Sequence, residues 1–146
     1  MKVELHIDRS EQEPRVVLFA PGATAQIQDL FGRLQAVCTQ TIHGYSEQSI
    51  ALLPVGQILR IYAQSQKVYA ETEAGTYTLH ARLYELEQSL DASLFVRISN
   101  SEIVNSRKIK KLNAKLSGTI GVELENGVYT YASRRYVKRI KSVFGL

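Results

Sequence analysis

The sequence predicts a mainly β fold, α+β overall, and three observations carry the prediction. Residues 49–81 read as strand after strand, separated by short polar turns. Asn126-Gly127 stands between two alternating runs, the strongest short hairpin signal there is. Helical periodicity is confined to three stretches, 24–38, 82–90 and 133–144. A chain of 146 residues fits one ordinary domain, or one domain with a small appendage, and a 45% apolar share supports a core.

Lys2–Asp8 alternates apolar and polar residues, with Val3, Leu5 and Ile7 on one side, the pattern of a half-buried strand. Val16–Phe19 is a short apolar run that reads as a second strand, closed by Pro21-Gly22. From Thr24, a natural N-cap, the period becomes helical through Ile27, Leu30, Phe31, Leu34, Val37 and Cys38. Cys38 falls on the apolar stripe and reads as core rather than as a nucleophile. His43-Gly44 ends the segment. Residues 1–46 therefore form a strand–helix element too short for a core of its own, which packs on the next domain or dimerises.

Residues 47–146 form the main domain. Ile50–Leu53 stops at Pro54, and Ile58–Tyr62 runs into the polar turn Gln64-Ser65-Gln66. Lys67–Thr72 and Thr76–His80 flank Glu73-Ala74-Gly75, a compact hairpin with glycine free to take positive φ. Leu83, Leu86 and Leu90 stripe a short helix over 82–90. Phe95, Val96 and Ile98 make a strand that breaks at Ser99-Asn100-Ser101 and returns as Ile103-Val104. Thr119–Leu124 and Val128–Tyr131 pair across Asn126-Gly127, read as a type I′ turn. In the final helix, Tyr136, Val137, Ile140, Val143 and Phe144 share one arc. Arg134, Arg135, Lys138, Arg139 and Lys141 share the other.

Composition excludes several classes of function. One cysteine rules out an intramolecular disulfide, and with no signal peptide the chain reads as cytoplasmic. No apolar run approaches the ~20 residues that span a bilayer. There is no Cys/His cluster at zinc spacing, no phosphate-binding glycine loop and no nucleophile elbow, so no metal, cofactor or small-molecule substrate is expected. His6, His43 and His80 are scattered. Glu71 and Glu73 would share a strand face ~6–7 Å apart, a spacing a glycosidase could use, but exposed strand glutamates explain them better. The chain does not read as an enzyme.

The net charge of +4 divides unevenly. Residues 1–50 and 51–96 each carry a net −2, whereas residues 97–146 carry eleven cations against three anions, a net +8. That is the footprint of a polyanion. The amide and hydroxyl loop Ser99-Asn100-Ser101 stands in sequence close to the cations Arg107, Lys108, Lys110 and Lys111. Arg134 and Arg135 open the last helix, where the dipole disfavours cations by roughly 0.3–1 kcal/mol each unless an anion completes the site.

These segments, in this order, resemble the LytTR (LytR/AlgR-type) DNA-binding domain of bacterial transcription regulators, over roughly residues 47–146. Leu83-Tyr-Glu-Leu-Glu-Gln-Ser-Leu90 before Leu94-Phe95 is similar to the family's short helix. Phe95-Val-Arg97-Ile-Ser-Asn-Ser101-Glu-Ile-Val-Asn105 is similar to its F-x-R-x-H-x-S-x-I-V-N segment, and Ala132-Ser-Arg-Arg-Tyr136 to its S-R-x-y turn. The resemblance implies an elongated arrangement of small β-sheets that reads double-stranded DNA with loops, as a homodimer on repeated sites. It implies base reading by Asn100 and Arg135, with a third reader at Gln66 or Lys67. An amide suits adenine and a guanidinium suits guanine in the major groove. Phosphate contacts then fall to Arg97, Ser99, Ser101, Arg107, Lys108, Lys110, Lys111, Arg134 and Lys138. Ser99 stands where the family has histidine. About fifty residues precede the domain, too few for a receiver, so the chain resembles the stand-alone branch, whose members often answer to a membrane-protein partner. Two other readings compete: a protein-interaction adaptor or antagonist on the same scaffold, and an RNA-binding module using exposed Tyr69 and Tyr77.

Overall fold

A computed structural model describes residues 1–12, 14–38 and 40–146, with the side chains of 35–38 left out. Its elements are α1 (Ala25–Cys38), β1 (Thr41–Tyr45), β2 (Ile50–Pro54), β3 (Ile58–Gln64), β4 (Lys67–Thr72), β5 (Gly75–Leu79) and α2 (Leu83–Ser89). Then follow β6 (Phe95–Ser99), β7 (Glu102–Asn105), β8 (Ile109–Ala114), β9 (Ile120–Leu124), β10 (Tyr129–Ala132) and α3 (Val137–Val143). Contacts divide the chain after Cys38 into two units.

In the first unit, α1 forms where the period predicts it. Thr24 caps it, its hydroxyl accepting from the Ile27 N–H at 3.3 Å. Phe31 is half exposed, while Ile27, Leu30 and Leu34 are partly buried. The expected core position of Cys38 lies outside the described side chains. No strand forms over 2–8 or 16–19, and Val3, Leu5 and Ile7 are 83–92% exposed. Alternation alone does not make a strand: without a neighbour to complete its ladder, an isolated segment gains too little to offset chain entropy.

The second unit holds two antiparallel sheets, one of seven strands ordered β2-β1-β5-β4-β3-β7-β6 and one of three ordered β10-β9-β8. β1 lies inside the stretch that the sequence assigns to the N-terminal segment. His43-Gly44 reads there as a terminator, yet Gly44 sits mid-strand because the backbone is crowded. A Cβ at Gly44 would fall 2.8 Å from that of Tyr77.

β3, β6 and β7 are covered on both faces, so apolar side chains point to both sides of each strand. On one face Ile58, Ile61, Phe95 and Ile103 pack with Leu83, Leu86 and Leu90 of the α2 region. On the other, Leu59, Val96, Ile98 and Val104 pack with Ile120, Val122, Leu124 and Ala132 of the small sheet and Ile140 of α3. The large sheet is thus the middle layer. Burying each large aliphatic side chain contributes roughly 1.5–3 kcal/mol.

Asn105 closes the root of β7 onto β3. It is 1% exposed. Its Nδ2 donates to the Ile58 carbonyl at 2.8 Å, and its Oδ1 accepts from the Arg107 N–H at 3.0 Å. Asn105→Ala leaves both backbone groups short of a partner, so we expect a loss of about 2–3 kcal/mol. Urea unfolding should show it as a lower midpoint at unchanged slope.

Two turns differ from expectation. Asn126-Gly127 does not form a type I′ turn. Gly127 takes positive φ (85°) but Asn126 does not, and the Gly127 N–H donates to Leu124 O at 3.0 Å. The loop is a three-residue type I turn ending in a left-handed glycine. The two-residue turn with both φ positive is Ser65-Gln66, at 52° and 64°, without glycine. The last helix also starts differently, as a 3-10 turn at Arg134–Tyr136 that continues into α3. Val143 and Phe144, on the expected apolar arc, stay more than a third exposed, whereas Ile140 on the same arc is fully buried.

Candidate nucleic-acid interface

Three connections meet at one end of the second unit. They are the β3–β4 turn (Ser65-Gln66), the β6–β7 turn (Asn100-Ser101) and the junction from β10 into α3. The Ala63 N–H donates to Ser101 O at 2.8 Å, drawing the first two together. The Ser133 N–H donates to Ile98 O at 2.9 Å, drawing in the third.

The side chains meet as well. The Tyr136 hydroxyl donates to Asn100 Oδ1 at 2.9 Å, and the Arg135 guanidinium lies 5.7 Å from the Tyr136 ring centre. Asn100 and Arg135 are both exposed and share Tyr136 as a neighbour. Gln66 and Lys67 are exposed at the adjoining turn. Ser99 and Ser101 shape the loop itself, the Ser99 hydroxyl accepting from the Ser101 N–H at 3.2 Å. Arg134 and Lys138 are exposed on the α3 side.

Arg97 is turned inward. Its side chain is 11% exposed and pairs with Glu87 at 2.9 Å. Its Nε donates to Ser99 O and its Nη2 to Asn100 O, both at 2.6 Å. The guanidinium that the sequence places among the phosphate holders is used within the protein, bracing the loop's carbonyls.

The basic run is also placed differently from its position in the sequence. Arg107, Lys108, Lys110 and Lys111 follow the loop closely in the chain, but β7 runs back between them, about 13 Å for four residues. They lie toward the opposite end of the sheets, where the Lys108 carbonyl accepts from the Glu125 N–H. Lys108 pairs with Glu125 at 3.8 Å and Lys110 with Glu123 at 3.7 Å. Arg107 and Lys111 have no ion pair among the described residues. A cation that the motif reading passes over stands closer to the loop end. Lys115 closes a tight turn with Gly118, and a Cβ on Gly118 would lie 3.7 Å from Arg134. Only the strand pairing of β8 with β9 reveals that neighbour.

Glu87 is the other residue that motif spacing could not find. Its carboxylate accepts from both Arg97 and Arg139, one at each oxygen. Burial disfavours its charge, but the two guanidiniums outweigh that and hold its pKa below the usual glutamate value. Glu71 is likewise engaged, by Arg60 at 2.6 Å and by Asn126 at 2.8 Å, while Glu73 stands in the exposed turn after β4. The carboxylate pair imagined for a glycosidase is not formed. Tyr69 and Tyr77, on which an RNA platform would rest, are half-buried. Tyr69 stacks on Tyr62 and Tyr77 packs against the core.

The fold and the site define a two-sheet antiparallel domain that gathers turn and loop side chains, amide, hydroxyl and arginine, at one end. No cluster of metal ligands occurs among the described residues. No described helix is long and apolar enough to cross a membrane. The chain belongs to the LytTr DNA-binding domain family, which matches residues 48–145. Relatives from Staphylococcus aureus, described as uncharacterized HTH-type transcriptional regulators, are 34–35% identical over 142 residues, 97% of this chain and 96% of theirs. The LytTr DNA-binding domain of a Bacillus cereus protein, described as a methyl-accepting/DNA response regulator, superposes with a TM-score of 0.70. It is 24% identical and covers 73% of this chain and 97% of its own. Strands separate α1, α2 and α3, so the helix-turn-helix of the relatives' description has no counterpart among the described residues.

Proposed function

We propose that the protein is a sequence-specific transcription regulator of double-stranded DNA that reads bases with turn and loop side chains. The observation that carries this is the pair of exposed side chains Asn100 and Arg135, gathered around the partly buried Tyr136 beside the Ser65-Gln66 turn. Asn100 supplies an amide for adenine and Arg135 a forked donor for guanine, and Gln66 or Lys67 reaches a third base. Ser99, Ser101, Arg134 and Lys138, around the readers, meet the adjoining phosphates. Arg107, Lys108, Lys110 and Lys111, farther along the sheets, meet phosphates farther along the duplex. Two copies on a repeated site give the bound assembly, under the control of a partner protein at the membrane. Backbone contact of this kind makes affinity fall steeply with salt.

Selection of bound sequences from a random duplex pool tests the reading. We expect a short motif to emerge twice at fixed spacing. Recovery of sequences with no shared motif, at an affinity set only by salt, would leave a basic surface without a reading function. A chain that binds no duplex at all supports the adaptor reading instead.

A further inference from the structure

We propose that Glu87, on α2, is a positioning residue for sequence recognition: it holds Arg97 and Arg139 together so that the Asn100 loop and the arginine turn keep a fixed spacing. The inference rests on the DNA-reading function above and adds a residue that no base-reading or phosphate-holding pattern includes.

Hydrogen bonds and one cation–π contact close a ring. From Glu87, one path runs through Arg97 to the carbonyls of Ser99 and Asn100. The other runs through Arg139, whose guanidinium lies 5.9 Å from the Tyr136 ring centre, and from the Tyr136 hydroxyl to the Asn100 side chain. The loop's backbone and the side chain at its tip are thus held from two directions, and both converge on one carboxylate. Glu87, Arg97 and Arg139 come from α2, β6 and α3, which no shared strand ladder fixes to one another.

A single carboxylate facing two guanidiniums cannot be replaced by a neutral side chain without consequence. Removing its charge leaves two like charges adjacent and frees Arg139, more than half exposed, to seek phosphate. The loop would then retain its amide but lose its aim. Bidentate recognition of a base depends on that aim, because both hydrogen bonds must form in one plane. Loss of Glu87 should therefore affect discrimination between sequences rather than attraction to DNA.

The test uses the full chain, one duplex carrying the selected motif and one with that motif scrambled, well below the unfolding temperature of each variant. Glu87→Gln is expected to shrink the preference for the motif about tenfold, with binding to the scrambled duplex unchanged or tighter. Glu85→Gln, on the same helix but exposed, should leave the preference intact. At the base read by Asn100, the double variant Glu87→Gln, Asn100→Ala should lose no more than Asn100→Ala alone, since residues acting through one another are not additive. Tyr136→Phe removes only the hydroxyl that holds Asn100 and keeps the ring, so it serves where Glu87→Gln folds poorly. It should lose preference at the same base. If the wild type discriminates and both Glu87→Gln and Tyr136→Phe discriminate equally well, or if losses at Glu87 and Asn100 simply add, the positioning role is overturned. If the wild type itself shows no preference, the DNA-reading function falls first and this inference with it.

Discussion

Glu102→Ala is expected to lower folding stability by about 3–5 kcal/mol, a large part of what a domain of this size possesses. Glu102 is buried on β7 between the two sheets. Its Oε1 accepts from Arg60 Nη1 at 3.0 Å and its Oε2 from the Thr130 hydroxyl at 2.6 Å. Arg60 also bonds Glu71 at 2.6 Å and lies 4.4 Å from the Tyr62 ring centre. Burial works against the arginine's charge, but its hydrogen bonds to Glu102 and Glu71 raise its pKa, so it stays a cation. Truncating Glu102 leaves that cation with one partner and the Thr130 hydroxyl with none. It also cuts a direct tie between β7 of the large sheet and β10 of the small one. In urea the midpoint should fall by roughly 2 M at a slope typical of small domains. Glu102→Gln, which keeps the shape and one acceptor, should fall between wild type and Glu102→Ala. A shift below half a molar for Glu102→Ala would mean that the hydrophobic contacts alone join the sheets.

The same residues show what the sequence makes legible. The strands were readable because their constraint is local: β3 through β7 announce themselves by apolar, β-branched and aromatic residues between polar turns, and Leu83, Leu86 and Leu90 by helical spacing. Burial on both faces removes the alternation from β6 and β7 but leaves their length and flanking turns as markers. Ladders were not readable. Lys2–Asp8 has a strand's pattern and no partner, whereas Thr41–Tyr45 contains a glycine and still pairs with Ile50–Pro54. Turn type depends on the register of both flanking strands, so Asn126-Gly127 takes a three-residue loop while Ser65-Gln66 takes the two-residue one.

For the site, residue type could nominate Asn100, Arg135 and the lysines, because those side chains suit bases and phosphates wherever they stand. It could not separate a guanidinium facing solvent from one facing inward. Arg97 and Arg135 are alike as letters. One is braced by Glu87 and two carbonyls, the other exposed over Tyr136. Glu87 lies in a helix that reads as scaffold, and its significance depends on where Arg97 and Arg139 arrive from distant parts of the chain. Charge counting found the basic third but not its division into two ends, which follows from the direction of β7.

That division makes the second large prediction specific. Asn100→Ala or Arg135→Ala should each relax sequence preference at one position of the site, by roughly 1–3 kcal/mol for a lost bidentate contact. Binding to unrelated duplexes should change little, because neither substitution disturbs the phosphate contacts at the far end. Lys111→Ala should instead weaken binding to every duplex alike and reduce the slope of log affinity against log salt by about one. Lys110 should show a smaller effect of the same kind, since Glu123 at 3.7 Å already offsets part of its charge. The measurement is a salt titration of each variant on the selected and scrambled duplexes. Readers alter the gap between the two lines and holders alter their common slope. If all four variants moved the gap and the slope together, the two ends would not be separate functions, and the domain would grip DNA as one undivided surface.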